Sequence, residues 1–285
     1  MTQDSPEKNI DYDANAALEF FKQFGSAESA KADEVIFASG QKSVFSFLHS
    51  EKTYLLTEGS IEVKNAAGKS HEIKPGNVCG EHTPFAAHSF TATAKTACKL
   101  MALSEKQFLT GLKNKPEFLL ILMGLFVRFL RQPVSAPEFE AKASGHQVKK
   151  DVVLSPKMLK DLVDKLGDEG VISVPPQRVI FKEGGSAMLM YVILEGTVLA
   201  CVGNKVVNRC GPGDVIGEIA LVDQKPRTAS VVAETHGSLL AINRQMLLDL
   251  IQSVPDFGVA LLRVLASRAP FPRSAAKPAD DMDWD

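Results

Sequence analysis

The sequence predicts a mainly β chain with flanking α-helices, arranged as two tandem antiparallel jelly-roll barrels. An internal repeat carries the first half of that expectation. YLLTEGSIEVKNAAGKSHEIKPGNVCGE, beginning at Tyr54, aligns without a gap on YVILEGTVLACVGNKVVNRCGPGDVIGE, beginning at Tyr191. Gly59/Gly196, Pro75/Pro212, Gly76/Gly213 and Gly80/Gly217 coincide, as do Glu58/Glu195 and Glu81/Glu218. Matching glycines and prolines mean matching turns, because these residues permit or fix the unusual backbone angles that turns need. The second half comes from short runs such as VIF, MYVILEG, TVLACV and SLLAI, separated by glycine-containing turns. That spacing suits antiparallel barrels better than a parallel sheet.

The helices follow from caps and periodicity. Asp13 caps a helix whose Ala17, Leu18, Phe21 and Phe24 share a face, and Gly25 ends it. Ser155 and Pro156 open a second such helix, with Leu159, Leu162, Val163 and Leu166 on one face before Gly167. Each precedes a strand-rich block. Each block is followed by a helix with a Pro-acid-Phe start, Pro116-Glu117-Phe118 and Pro255-Asp256-Phe257. These starts lie two residues further apart than the repeat itself, so the first unit lacks two residues somewhere after Glu81. The apolar run FLLILMGLFVRFL from Phe118 to Leu130 is too short for a membrane span and contains Arg128. It reads as a helix buried on most faces, covered by the second domain or by a second subunit. The domain organisation expected is therefore 1–131, a polar linker at 132–152, 153–268, and a flexible acidic tail at 269–285.

Composition excludes little and directs attention to local sites. The chain of 285 residues has 32 basic and 34 acidic side chains, so no global field points to nucleic acid or to an anionic membrane. The N-terminus lacks the basic and apolar regions of a secretory signal, which places the expected location in the cytoplasm. Cys79, Cys98, Cys201 and Cys210 show no CxxC pair and read as small apolar residues in strands.

The chemistry concentrates in GEIALVDQKPRTASV, Gly217 to Val231. Gly213 and Gly217 allow tight turns, after which Glu218-Ile219-Ala220-Leu221 forms one helical turn. Free N–H groups at such a start attract an anion. Arg227 returns after the loop with a permanent charge and a planar set of donors suited to phosphate. Glu218 would repel that anion unless it faced something else, and a sugar hydroxyl answers. The simpler reading, a Glu218–Arg227 ion pair holding a loop on an empty barrel, does not call for the glycines, the proline and the helical turn.

These residues carry a resemblance. From about Val179 to Arg268 the second unit resembles a cyclic nucleotide-binding domain of the cAMP receptor protein and protein kinase A regulatory-subunit superfamily. The family's phosphate-binding cassette, G-E-[LI]-A-L, a short loop, then P-R-[TSA]-A, is met by Gly217 to Leu221 and by Pro226 to Ala229. The resemblance implies that Glu218 takes the ribose 2′-hydroxyl and Arg227 the cyclic phosphate. It also implies that the amides of Ile219 and Ala220 complete the cradle and that Thr228 adds a hydroxyl contact. The ligand implied is cAMP, with cGMP left open by Thr228.

The first unit keeps Gly80-Glu81 but continues HTPFAAHSFTATA. Without a gap Phe90 replaces Arg227; with the two-residue deletion His88 and Ser89 replace Arg227 and Thr228. Pro84 also falls within the would-be helical turn. The expectation is a degenerate cyclic nucleotide-binding fold with a structural or dimerising role, against an unusual ligand site read by His82 or His88. A metal site using Glu81, His82 and His88 lacks the His-x-His pair of metal-binding barrels, and no metal is expected.

For output, the tail after Arg268 is too short and too acidic for a DNA-binding module, so no DNA partner is expected. No enzyme motif and no Arg-Arg-x-Ser-like inhibitor segment is found. The reading is a non-enzymatic receptor, acting through a protein partner, a homodimer or its own other half; the alternative is a scaffold whose barrels bind no nucleotide. Pro270 and Pro272 interrupt the last helix, and Trp284 either stacks on the ligand's base or lies in a disordered tail.

Overall fold

The computed structural model describes residues 12–38, 52–65, 68–80, 83, 90–131, 154–167 and 170–268. The expected linker, the tail with Trp284, and Glu81, His82, Pro84, His88 and Ser89 lie outside them.

The first unit runs α1 (Ala14–Phe24), β1 (Ser26–Ala30), β2 (Val35–Ala38), β3 (Lys52–Glu58), β4 (Ile61–Asn65), β5 (Ser70–Ile73), β6 (Val78–Gly80), β7 (Phe90–Ala94), β8 (Cys98–Ser104), α2 (Glu105–Asn114) and α3 (Glu117–Leu130). The second repeats it. Its elements are α4 (Pro156–Leu166), β9 (Val171–Val174), β10 (Val179–Phe181), β11 (Leu189–Glu195), β12 (Val198–Val202), β13 (Lys205–Cys210) and β14 (Val215–Ile216). A short helix α5 (Glu218–Asp223) then interrupts the barrel before β15 (Ser230–Ala233), β16 (Gly237–Asn243), α6 (Arg244–Ser253) and α7 (Pro255–Arg268).

The strand order makes the duplication explicit. The first barrel pairs β1-β8-β3-β6 and β2-β7-β4-β5, and the second pairs β9-β16-β11-β14 and β10-β15-β12-β13. All these pairings are antiparallel, and equivalent bulges fall between Leu56 and Glu58 and between Ile193 and Glu195. Gly59 and Gly196, the matched glycines after those bulges, both have positive φ, +91° and +81°. A side chain at either would strike a facing backbone carbonyl.

Register also locates the missing residues. Ala94 faces Ile61, and Ala233 faces the equivalent Val198. The two-residue deficit therefore lies between Gly80 and Phe90. Phe90 begins β7 opposite Asn65 and packs beside Phe37, with ring centroids 5.2 Å apart. It is a core residue of the strand and not the counterpart of Arg227, so the alignment with a deletion holds.

Caps act as the sequence expects. Asp13 accepts from the amides of Asn15 and Ala16, Ser155 accepts from Met158, and Gly25 and Gly167 follow the last helical residues. The packing shows why the helices are so apolar. Phe118, Leu119, Leu120, Leu122, Met123, Leu125, Phe126 and Val127 of α3 are buried in a cluster that also holds Leu221 and Val222 of α5 and much of α7. The second unit thus covers the apolar helix of the first within one chain. Phe20 of α1 stacks on Phe118 at 3.6 Å and closes the other side. Each fully buried Leu or Phe contributes about 1.5–3 kcal/mol, so this shared helical layer is a large part of what joins the units. Among the described residues no single helix is long and apolar enough to cross a membrane.

All four cysteines lie in strands, Cys79, Cys98 and Cys210 buried and Cys201 half-buried. Burial, with Cys98 nearby, pushes the Cys79 thiol up to about 12, and burial likewise pushes the neighbouring Tyr54 phenol up to about 12. Both groups are neutral when protonated, so the raised native pKa makes the fold more stable at neutral pH than at alkaline pH, where burial penalises the thiolate and the phenolate. The contribution is complete below the ordinary values of 9.0 and 10.0 and is lost as pH rises toward 12. Alkaline melting should therefore show the first barrel losing stability between about pH 9 and 12, and Cys79→Ala with Tyr54→Phe should flatten that limb. An unchanged limb would contradict this origin.

Candidate functional site

The site is built where β14 ends. Gly217 adopts φ +77°, and the chain turns at once into α5. Ala220, Leu221 and Val222 are buried and fasten this short helix to the core, while Ile219 is half-buried. Gly217 offers no side-chain cap, and among the described residues no side chain is seen to accept from the first-turn amides, those of Ile219 and Ala220 among them. The helix stops at Gln224, which is left-handed at φ +54°.

Arg227 comes back beneath the helix start and is only 5 % exposed. Its Nη1 donates to the Gly217 carbonyl at 2.8 Å and its Nη2 to the Leu189 carbonyl at 2.5 Å. The guanidinium lies 4.3 Å from the centroid of the Phe181 ring, which itself stacks on Tyr191. Its Nε is buried and has no hydrogen-bond partner. Burial pulls the Arg227 pKa below its usual value, offset in part by Tyr191 and Glu218. A group that starts so high stays cationic at neutral pH.

Glu218, 3 % exposed, makes no ion pair with Arg227. Its Oε1 accepts from Nη1 of Arg268 at 2.8 Å, and Arg268 Nη2 stands 3.7 Å from Asp214. Burial alone would disfavour the Arg268 cation, but Glu218, Cys210 and Asp214 outweigh it and hold the pKa above its ordinary value. The Glu218–Arg227 pair considered from sequence is thus replaced by two separate arrangements. One is an arginine fixed by carbonyls; the other is a carboxylate fixed by the last residue of α7.

Of the residues singled out from sequence, Gly217, Glu218, Ile219, Ala220 and Arg227 gather at one end of the barrel, and Thr228 is exposed beside them. The sequence reading missed Arg268, Phe181 and the Leu189 carbonyl. The one signal for Arg268 was a basic residue in a last helical turn, which by itself indicates only a favourable dipole interaction. It also missed Arg131, just after α3, which grips Asp223 at the end of α5 with Nε and Nη2, the latter at 2.9 Å. Among the described residues no group of three or more metal-ligating side chains occurs; Glu81, His82 and His88 are not among those residues.

Gly217 has no tolerance for a side chain. A Cβ there would meet Arg227 Nη1 at 2.5 Å, in a backbone region that costs other residues about 1–2 kcal/mol. Gly217→Ala should lower the melting temperature and shift the arginine; a variant with unchanged melting would show that the close approach is relieved cheaply.

Comparison with known proteins then places the chain. The profile of the cyclic nucleotide-binding domain family matches residues 27–115 and 171–254, together more than half of the sequence and once per unit. The chain belongs to the cyclic nucleotide-binding domain family. A CRP-like cAMP-activated global transcriptional regulator of Mycobacterium tuberculosis is 30% identical over 104 residues, 34% of this chain and 46% of that protein. A cGMP-dependent protein kinase of Eimeria tenella is 27% identical over 232 residues, 81% of this chain but 20% of the kinase. The chain thus spans under half the length of the first and a fifth of the second. Among solved structures, a regulatory subunit of a cAMP-independent protein kinase A from Trypanosoma brucei is 17% identical, with 90% of each chain covered and a TM-score of 0.30. The regulatory domain of Toxoplasma gondii PKA with cAMP is 17% identical, covering 88% of this chain and 89% of that one, with a TM-score of 0.28. The family profile matches once in each unit and the strand orders agree, whereas the two sequences differ at the cassette. With the two-residue deficit between Gly80 and Phe90, the sequence alignment that sets His88 and Ser89 against Arg227 and Thr228 gives the first unit no arginine.

Proposed function

We propose that the chain is a non-enzymatic cyclic nucleotide receptor with one competent site, in the second unit, binding cAMP or cGMP and acting through contacts between its units or with a protein partner. The observation that carries this reading is Arg227: a buried guanidinium with an unpartnered Nε, beside a helix start whose first-turn amides lack a side-chain cap. A cyclic phosphate there would receive charge-assisted bonds from Arg227 and from the amides of Ile219 and Ala220. Glu218 would accept the ribose 2′-hydroxyl. Its Oε1 holds Arg268, and a carboxylate has lone pairs on its second oxygen to spare for a hydroxyl. Thr228, exposed at the rim, would contact the phosphate or a guanine edge.

In this mechanism the first unit carries no arginine at the equivalent position and serves as the support on which the second rests. Ligand can change that support only by binding two arrangements with different affinity. The relatives named for cAMP and cGMP supply the two candidate ligands.

Thermal-shift titration with cAMP, cGMP and cyclic dinucleotides tests the reading. One of the two mononucleotides should raise the melting temperature, since a ligand at 100 times its Kd stabilises the native state by about 2.7 kcal/mol. No shift with any of them would favour a scaffold whose barrels bind no nucleotide.

A further inference from the structure

From the geometry between the two units we infer that Arg131 of the first unit is a positioning residue for the phosphate cassette of the second; this rests on the receptor reading above. Arg131 follows α3, and its amide still bonds to the Val127 carbonyl at 2.9 Å, so it is held as an extension of the helix. Its guanidinium forks onto both carboxylate oxygens of Asp223 and also donates from Nη2 to the Pro226 carbonyl at 3.3 Å. Pro226 is the residue before Arg227.

This is not a pair between two mobile surface chains. The side chain of Asp223 is 6 % exposed and that of Arg131 is 24 % exposed. Two parallel bonds to one carboxylate fix direction as well as distance. Asp223 Oδ1 accepts in addition from the Lys225 amide at 3.2 Å. One knot therefore joins the end of α5, the turn after it and the peptide that leads into Arg227. The turn needs such support because Gln224 sits in the left-handed region without being glycine. Beneath the knot, Phe126 and Val127 of α3 share a buried cluster with Leu221 and Val222 of α5.

The consequence is a role for a unit whose own cassette lacks an arginine. The end of its apolar helix holds the loop of its neighbour in one conformation before any ligand arrives. A loop ordered in advance does not have to be ordered at the expense of binding. Release of that hold should weaken the ligand at Arg227 although Arg131 does not touch the ligand.

The test is calorimetric titration of the full chain with cAMP and cGMP, for wild type, Arg131→Ala, Arg131→Lys and the reversal Arg131→Asp with Asp223→Arg. It is paired with hydrogen exchange of the Lys225 and Arg227 amides in ligand-free protein. Arg131→Ala should weaken binding about three- to thirtyfold and speed exchange at both amides, and Arg131→Lys and the reversal should each recover part of the loss. A merely structural residue would lower the ligand-free melting temperature without changing Kd at a temperature where the variant is folded. Binding within twofold of wild type in Arg131→Ala overturns the inference and leaves the receptor reading intact. A wild-type chain that binds neither nucleotide is recognised without any variant, and it overturns the receptor reading and this inference together.

Discussion

Arg227→Ala should abolish most cyclic nucleotide affinity, with a loss of about 2–5 kcal/mol for removing a buried charge partner. That corresponds to roughly thirtyfold up to several thousandfold in Kd. The size follows from where the guanidinium sits: 5 % exposed, fixed by two carbonyls and a ring face, so no reorganisation is needed when phosphate arrives. The same substitution leaves the Gly217 and Leu189 carbonyls without their donor, at about 1–3 kcal/mol each where they are shielded from water. Titration must therefore be made well below the melting temperature of the variant. Arg227→Lys separates the two effects, since it keeps the charge but cannot reach both carbonyls and phosphate at once. Undiminished affinity in folded Arg227→Ala would remove Arg227 from the site.

The second large effect is expected at Glu218. Glu218→Ala leaves Arg268, among the described residues, with the more distant Asp214 as its remaining acidic partner, and breaking a buried ion pair from one side costs about 3–5 kcal/mol. Chemical denaturation should show that loss, and the double variant Glu218→Ala with Arg268→Ala should cost less than the sum of the singles. The ligand distinguishes the functional share from the structural one. If Glu218 accepts the ribose hydroxyl, a 2′-deoxy analogue should bind wild type about tenfold or more weakly than cAMP, and Glu218→Ala should no longer tell the two apart. Equal discrimination in wild type and variant would show that Glu218 serves the fold through Arg268 and not the sugar.

Much of the fold was legible because it is written in local and periodic signals. Asp13, Ser155, Gly25 and Gly167 mark helix ends through bonds that span four residues or fewer, so their meaning does not depend on the rest of the chain. The repeated glycines report backbone angles, and positive φ at Gly59, Gly76, Gly80, Gly196, Gly213 and Gly217 is what the repeat required. The Pro-acid-Phe starts were likewise enough to show that two residues are missing from the first unit. Only strand pairing could say where. Register is a relation between β7, β4 and their counterparts β15 and β12, and it decided against Phe90 as the partner of Arg227.

The candidate site divides in the same way. Sequence by itself determined that Gly217, Glu218 and Arg227 lie within one short cassette, because a glycine turn, a helix start and a returning arginine are contiguous. It also determined that the first unit lacks the arginine. What Glu218 and Arg227 touch was decided only by the tertiary structure. Glu218 pairs with Arg268 from α7, fifty positions away, and Arg227 rests on a carbonyl of β11 and a ring of β10. Arg131 reaches Asp223 across the boundary between units. A charged side chain finds its partner through the packing of helices whose crossing depends on every buried residue between them, and no local pattern encodes that distance.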